Sequence, residues 1–155
     1  MQQAQPFSTL VSALSRTLRA ANACLIDLLA QEGVTGIVPS HGDILMCLFG
    51  GEPVPMQQLA QACRRDPSTV TALVKKLVAL GYVEVSRCPS DGRSRRVSLT
   101  DKGRALKPRF ERISQCLLEV QSQGIDVREQ EVVMDVLGRV EANFRKEDHE
   151  DEDNA

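Results

Sequence analysis

Between Asp66 and Gly81 apolar residues recur at three- and four-residue steps, at Val70, Leu73, Val74, Leu77 and Val78, which lays one apolar stripe along a helix. Asp66 offers a side-chain oxygen to the orphan amides of a first turn, Pro67 has the φ of a first helical residue, and Gly81 can take the left-handed conformation of a C-cap. Directly afterwards the period falls to two. Val83 and Val85 alternate with Glu84 and Ser86, and Val97 and Leu99 with Arg96 and Ser98, which predicts two short, half-buried strands. The loop from Arg87 to Arg96 carries Pro89, Ser90, Asp91 and Gly92, residues that favour turns. Upstream, Ser40 begins Ser-His-Gly-Asp, a capping arrangement ahead of a stripe of Ile44, Leu45, Leu48 and Phe49 that ends at Gly50-Gly51. Glu52-Pro53-Val54-Pro55 reads as a turn, and Met56, Leu59, Ala60 and Cys63 repeat the helical spacing.

Only Arg64-Arg65-Asp66 then separates two helices, which is helix-turn-helix spacing with the second helix as the recognition helix. A strand, a basic loop and a second strand follow it as a wing. The two ends of the chain are helical as well. Leu10, Val11, Leu14, Leu18, Ala21, Leu25, Leu28 and Leu29 form a stripe over about 7–31. Thr100 caps a helix running to about Gln123, bent at Pro108. Asp126 and Glu129 form a capping box ahead of Val133, Val136, Leu137, Val140 and Phe144. Such long stripes are buried either against each other within one chain or in a two-fold dimer, which would set two recognition helices about 34 Å apart on a pseudo-palindrome. The fold class is mainly α (α+β): a winged helix-turn-helix with long N- and C-terminal dimerisation helices. Residues 1–146 form one domain, with a DNA-binding lobe at 38–103 and dimerisation helices at 7–31 and 104–146.

Charge sharpens this picture. The net charge is −2, yet residues 64–109 hold twelve Lys or Arg against four acids, while residues 147–155 hold six acids and no Lys or Arg. The acidic run reads as a disordered, solvating tail, with a role in weakening non-specific DNA binding as the alternative. On the recognition helix, the face opposite the stripe carries Ser68, Thr69, Ala72, Lys75 and Lys76. Small side chains there let the helix approach base edges, and hydroxyls and ammonium groups reach phosphates and bases. The wing supplies Arg87, Arg93, Arg95 and Arg96. An arginine near its tip suits the narrow minor groove, and Asp91 stands where a charge-assisted contact could orient Arg93.

These residues resemble the MarR family of winged-helix transcriptional regulators along nearly the whole chain. STVTALVKKLVALGYVEV is similar to that family's recognition helix and first wing strand, and SDGRSRRVSLTDKG to its D-x-R wing tip followed by L-T-x-K-G. The resemblance implies groove-facing positions at Ser68, Thr69, Thr71, Ala72, Lys75 and Lys76, a minor-groove role for Arg93 and an acidic partner in Asp91. It also implies a homodimer joined through the first and last helices, and repression, or sometimes activation, relieved by a small ligand or an oxidant. Gly92 departs from the pattern, since many members carry a basic residue directly after the acid.

The five cysteines are widely spaced, with no CxxC pair and only two histidines, so neither a zinc site nor a disulfide framework is expected. Cys47 and Cys63 fall on apolar stripes and read as small core residues. One branch of the family senses hydroperoxides through a cysteine of the first helix, where Cys24 lies. Its one charged helical neighbour, Asp27, has the wrong sign to stabilise a thiolate, and a packed interface cysteine is the alternative. Cys88, beside Arg87, is the better thiolate by local charge, with a loop cysteine of no functional role as the alternative. The expected partners are double-stranded DNA, a second copy of the chain and a small-molecule effector, with no cofactor, no metal and no membrane. No apolar run reaches the roughly 20 residues that span a bilayer, and a cytoplasmic location is expected. A winged-helix protein-interaction module is the alternative function, disfavoured by the basic face and by only four Phe and one Tyr. No nucleophile-base set, phosphate loop or paired-carboxylate site marks an enzyme.

Overall fold

The computed structural model describes residues 9–87 and 95–150, so Cys88, Asp91, Gly92, Arg93 and the end of the acidic tail lie outside the described residues. The elements in order are α1 (Leu10–Gln31), α2 (Pro39–Leu48), β1 (Val54–Pro55), α3 (Met56–Ala62), α4 (Pro67–Ala79), β2 (Val83–Arg87), β3 (Arg95–Leu99), α5 (Asp101–Arg104), α6 (Lys107–Ser122) and α7 (Val127–Glu150). The chain divides into two units, 1–115 and 116–155.

In the first unit, the apolar faces of α2, α3 and α4 meet the inner face of a small antiparallel sheet of order β1-β3-β2. Ile44, Leu45, Leu48, Leu59, Val70, Leu77 and Val97 are essentially without solvent contact. The C-terminal part of α1 joins this core through Leu25, Leu28 and Leu29, and the start of α6 through Phe110 and Ile113. Phe110 meets Phe49 edge-on, with ring centroids 5.4 Å apart. Glu32, at the end of α1, accepts two hydrogen bonds from Arg112, at 2.6 and 3.0 Å, and this contact holds its carboxyl below the usual range.

Several elements depart from the pattern read in the sequence. Ser40 is not the cap of α2. Val38 is, because Pro39 takes the first helical position. The Val38 carbonyl accepts from the His41 amide at 2.9 Å, and the Val38 amide donates to His41 Nδ1 at 3.2 Å. Val54-Pro55 is not merely part of a turn but an edge strand, with Val54 opposite Val97. Proline is tolerated there because an edge leaves amide positions unused. Thr100 caps only the short α5, where its hydroxyl accepts from the Gly103 amide at 3.1 Å and donates to the Gly81 carbonyl at 2.6 Å. The chain then breaks and restarts as α6. Pro108 sits in the first turn of the new helix, where its missing donor costs nothing, rather than bending one long helix.

The second unit contains α7 and the end of α6. The capping box appears as read, with Asp126 and Glu129 exchanging amide-to-carboxylate hydrogen bonds of 2.9 Å each. α7 runs to Glu150, four residues into the segment read as a tail.

Candidate nucleic-acid interface

The recognition helix α4 is fixed at both ends as its sequence requires. Asp66 caps the first turn: Oδ1 accepts from the Thr69 amide at 2.9 Å and also from the Ser68 hydroxyl, while Oδ2 accepts from Thr69 Oγ1 at 2.5 Å. These donors hold the Asp66 carboxyl well below its ordinary range, the Ser68 hydroxyl contributing most. At the other end Gly81 takes φ +76°. The Tyr82 amide bonds the Leu77 carbonyl and the Gly81 amide bonds that of Val78, a Schellman closure. Lys102 adds a second cap by donating to the Leu80 carbonyl at 2.7 Å, with its ammonium 4.5 Å from the Tyr82 ring centroid.

The turn into this helix has a non-glycine residue in a glycine position. Arg64 adopts φ +49°, and the Arg65 and Arg64 amides close α3 onto the Ala60 and Gln61 carbonyls. Arg65 also donates to Asp43 of α2 at 2.8 Å, so an ion pair ties the turn to α2 directly before Asp66.

With Val70, Val74 and Leu77 buried, Ser68, Ala72, Lys75 and Lys76 are exposed on the opposite face of α4 and Thr69 is partly so. Thr71 stands apart from them. It is half-buried, donates to the Pro67 carbonyl at 2.8 Å and lines a cavity of about 300 Å³ with Val74, Lys75, Val78, Val85 and Arg95. Val78, read as part of the stripe, is 42% exposed at this cavity.

The strands sort the wing arginines. Arg87 pairs with Arg95, and Val85 with Val97, so by the alternation of strands Arg87 and Arg95 share the sheet face of Val85 and Val97, towards α4. Arg96 has the opposite parity. Its Nε is buried with no hydrogen-bond partner among the described residues. Thus Arg95 stands beside Lys75, and Arg96 belongs to the other side of the sheet.

Not every cation of the basic segment faces outward for a ligand. Besides Arg65 and Lys102, Arg104 donates to the Leu99 carbonyl and to Asp101, Lys107 to the Phe49 carbonyl and Arg109 to the Glu32 carbonyl. Counting charges along the sequence misses these structural roles because each carbonyl belongs to another element or turn. Arg104 and Lys102 flank Gly103, where an added Cβ would lie 2.0 Å from the Tyr82 carbonyl oxygen; this close approach explains the glycine of the L-T-x-K-G segment.

A second cleft, of about 450 Å³, lies between α1 and α2 beside the turn. Leu18, Asn22, Leu25, Ser40, Asp43 and Arg65 are among its lining residues. Cys24, on α1, is half-buried. Among the described residues no cluster of His, Cys, Asp or Glu could hold a metal ion, and no helix is long and apolar enough to cross a membrane.

The family model of the MarR family matches residues 33–94, the segment from the end of α1 through the wing loop. A MarR transcriptional regulator from Methanosarcina mazei Go1 superposes with a TM-score of 0.70 at 26% identity, over 88% of this chain and 96% of that one. From the end of α1 through the wing loop the chain is similar to MarR-family transcriptional regulators. An uncharacterized HTH-type transcriptional regulator of Bacillus subtilis, YdgJ, is 28% identical over 113 residues, 73% of this chain and 69% of that protein. BpsR of Bordetella bronchiseptica, whose DNA binding is regulated by 6-hydroxynicotinic acid, shares the fold with a TM-score of 0.76 at 19% identity, over 89% and 96% of the two chains. The proteins that the chain resembles are transcriptional regulators and not enzymes.

Proposed function

We propose that the protein is a homodimeric, cytoplasmic repressor that reads a pseudo-palindromic operator and releases it when a small ligand binds. One observation carries the reading: Ser68, Ala72, Lys75 and Lys76 are exposed on a single face of α4, and Arg95 of the wing lines the same cavity as Lys75. A helix and a cationic hairpin side by side supply a major-groove reader and a backbone clamp. By the resemblance of the Asp-Gly-Arg segment to a D-x-R wing tip, Arg93 is the residue assigned to the minor groove and Asp91 its acidic partner.

The cleft between α1 and α2 supports a small acid as effector. Its wall is apolar at Leu18 and Leu25, and its cation, Arg65, is held by Asp43. A carboxylate in the cleft competes with Asp43 for Arg65, and Arg65 adjoins the Asp66 cap of the recognition helix. The aromatic acid that regulates BpsR is a ligand of this chemistry. Release by oxidation of Cys24 or Cys88 is the second route; Cys24 is partly accessible.

Selection from a random DNA pool with purified protein tests the reading. The expected product is an inverted repeat, bound in fluorescence anisotropy with an affinity that falls as salt rises. Lys75→Ala lowers the slope of log affinity against log salt by about one, the loss of one phosphate contact, and Arg93→Ala weakens binding by removing the cation assigned to the minor groove. No enriched sequence, or unchanged binding by both variants, would sink it, and would favour a protein-interaction module.

A further inference from the structure

Cys47 of α2 and Cys63 at the end of α3 point their sulfurs at each other, Sγ to Sγ 3.8 Å. They are 16 residues apart in sequence, so no spacing motif announces the pair. Both are half-buried and packed on the edge of the core, unlike the sealed side chains of Leu45, Leu48 and Leu59 beside them in the chain. Small oxidants can therefore reach them, while the core holds them in contact. We propose that Cys47 and Cys63 are a dithiol–disulfide couple, through which a hydroperoxide closes a covalent strap between α2 and α3 and weakens DNA binding.

The chemistry balances with one hydroperoxide per couple. The Cys47 thiolate attacks the peroxide; an S–O bond forms, the O–O bond breaks, and the alkoxide leaves as an alcohol after taking a proton. The Cys63 sulfur then attacks the sulfenic sulfur of Cys47. An S–S bond forms, the S–O bond breaks, and hydroxide leaves as water with the proton of Cys63. Two thiols have lost two electrons and the peroxide has gained them. Burial, and then the hydrogen bond with Cys47, push the Cys63 thiol up to about 12, which fits it to the second step, where its proton goes to the leaving hydroxide, rather than to the first attack.

The mechanical consequence follows from what lies beside the couple. A disulfide brings its sulfurs to about 2.05 Å, so the pair must close by about 1.8 Å from its present separation. Cys63 is the C-cap of α3, and the next three residues are the left-handed Arg64, the Arg65 that pairs with Asp43, and the Asp66 that caps α4. Movement of Cys63 towards α2 is thus transmitted into the turn that sets the recognition helix. The effect on DNA rests on the proposed operator binding; the disulfide itself does not.

The test uses the full-length protein with Cys24, Cys88 and Cys116 each replaced by serine, which leaves only Cys47 and Cys63 of the five cysteines. One equivalent of cumene hydroperoxide should remove both free thiols and yield a Cys47–Cys63 cross-linked peptide, lighter by two hydrogens, that dithiothreitol reverses. Operator affinity, measured on the sequence recovered by selection, should fall about tenfold on oxidation, an ordinary coupling for a two-state device, and return on reduction. Cys47→Ala and Cys63→Ala on the same background should keep their affinity under peroxide. Sulfinic acid in place of the cross-link overturns the couple. A cross-link with unchanged affinity overturns the switch. If the reduced protein selects no DNA, the operator reading fails instead, while the cross-link still decides the couple.

Discussion

Asp66 accepts hydrogen bonds from the hydroxyls of both Ser68 and Thr69, the two hydroxyl residues that a DNA groove would meet first on α4. Their donors are committed to the protein in the unbound state. A phosphate that draws on them must therefore offer at least what the Asp66 carboxylate gives, whereas Lys75 and Lys76 present ammonium groups on an exposed face. The same carboxylate makes the helix start sensitive to acid. Its folded value is depressed, so the native state favours the charged form more than the unfolded chain does. The resulting stabilisation is complete above the unfolded value, near pH 4, and is lost as pH falls through the lower folded value. The substitution Asp66→Asn keeps a capping oxygen without the titration. Thermal melts of wild type and Asp66→Asn from pH 7 to pH 2 should show a shallower acid loss in the variant; parallel curves would mean that the cap carries no net charge effect.

α5 closely approaches the strand-turn segment before it. The Gly103 position leaves no room for a Cβ, because the obstructing atom is the Tyr82 backbone oxygen and not a movable side chain. Thr100 and Lys102 bind the Gly81 and Leu80 carbonyls from the same short helix, so α5 fastens the end of α4 to the wing. Gly103→Ala should cost about 3 kcal/mol in urea unfolding, by overpacking against a rigid partner, with a loss under about 1 kcal/mol showing that α5 can shift at little cost. This contact is not readable from local pattern, although α4 is. Asp66, Pro67, Gly81 and one apolar stripe all sit within the helix they define, and local signals of that kind survive into the fold. The break between α5 and α6 escapes the pattern because Pro108 satisfies a first turn as readily as it bends a long helix. The edge strand Val54-Pro55 escapes it because two prolines mask an alternation only two residues long. Parity in the strands already separates Arg95 from Arg96. By contrast, the Cys47–Cys63 contact and the Asp43–Arg65 pair depend on how two helices pack, which no spacing records.

For the whole molecule, the basic segment is less available than its charge count implies, since Arg65, Lys102, Arg104, Lys107 and Arg109 all bind groups of the protein itself. One copy of the lobe therefore presents a modest cationic surface, and the proposed pseudo-palindromic operator would engage two lobes together. The helices at the chain ends have the faces for that association. Along α1, Val11 and Leu18 are 64% and 62% exposed, and along α7 Val133, Met134 and Phe144 are more than half exposed. α7 has no buried residue among those described. Apolar residues repeated along a helix and left in water are stabilised by a second surface. In the proposed dimer the contact with the second half-site is intramolecular, which raises affinity without any new contact to DNA. Sedimentation equilibrium should give twice the chain mass for the wild type. Val11→Asp combined with Val133→Asp, which leaves α4 and the wing untouched, should shift the mass to one chain. It should also lower operator affinity at least tenfold, with occupancy rising more steeply in protein concentration because assembly now occurs on the DNA. A wild-type monomer that binds the full operator with unit steepness would show that one lobe suffices, and the exposed stripes would then require a different partner.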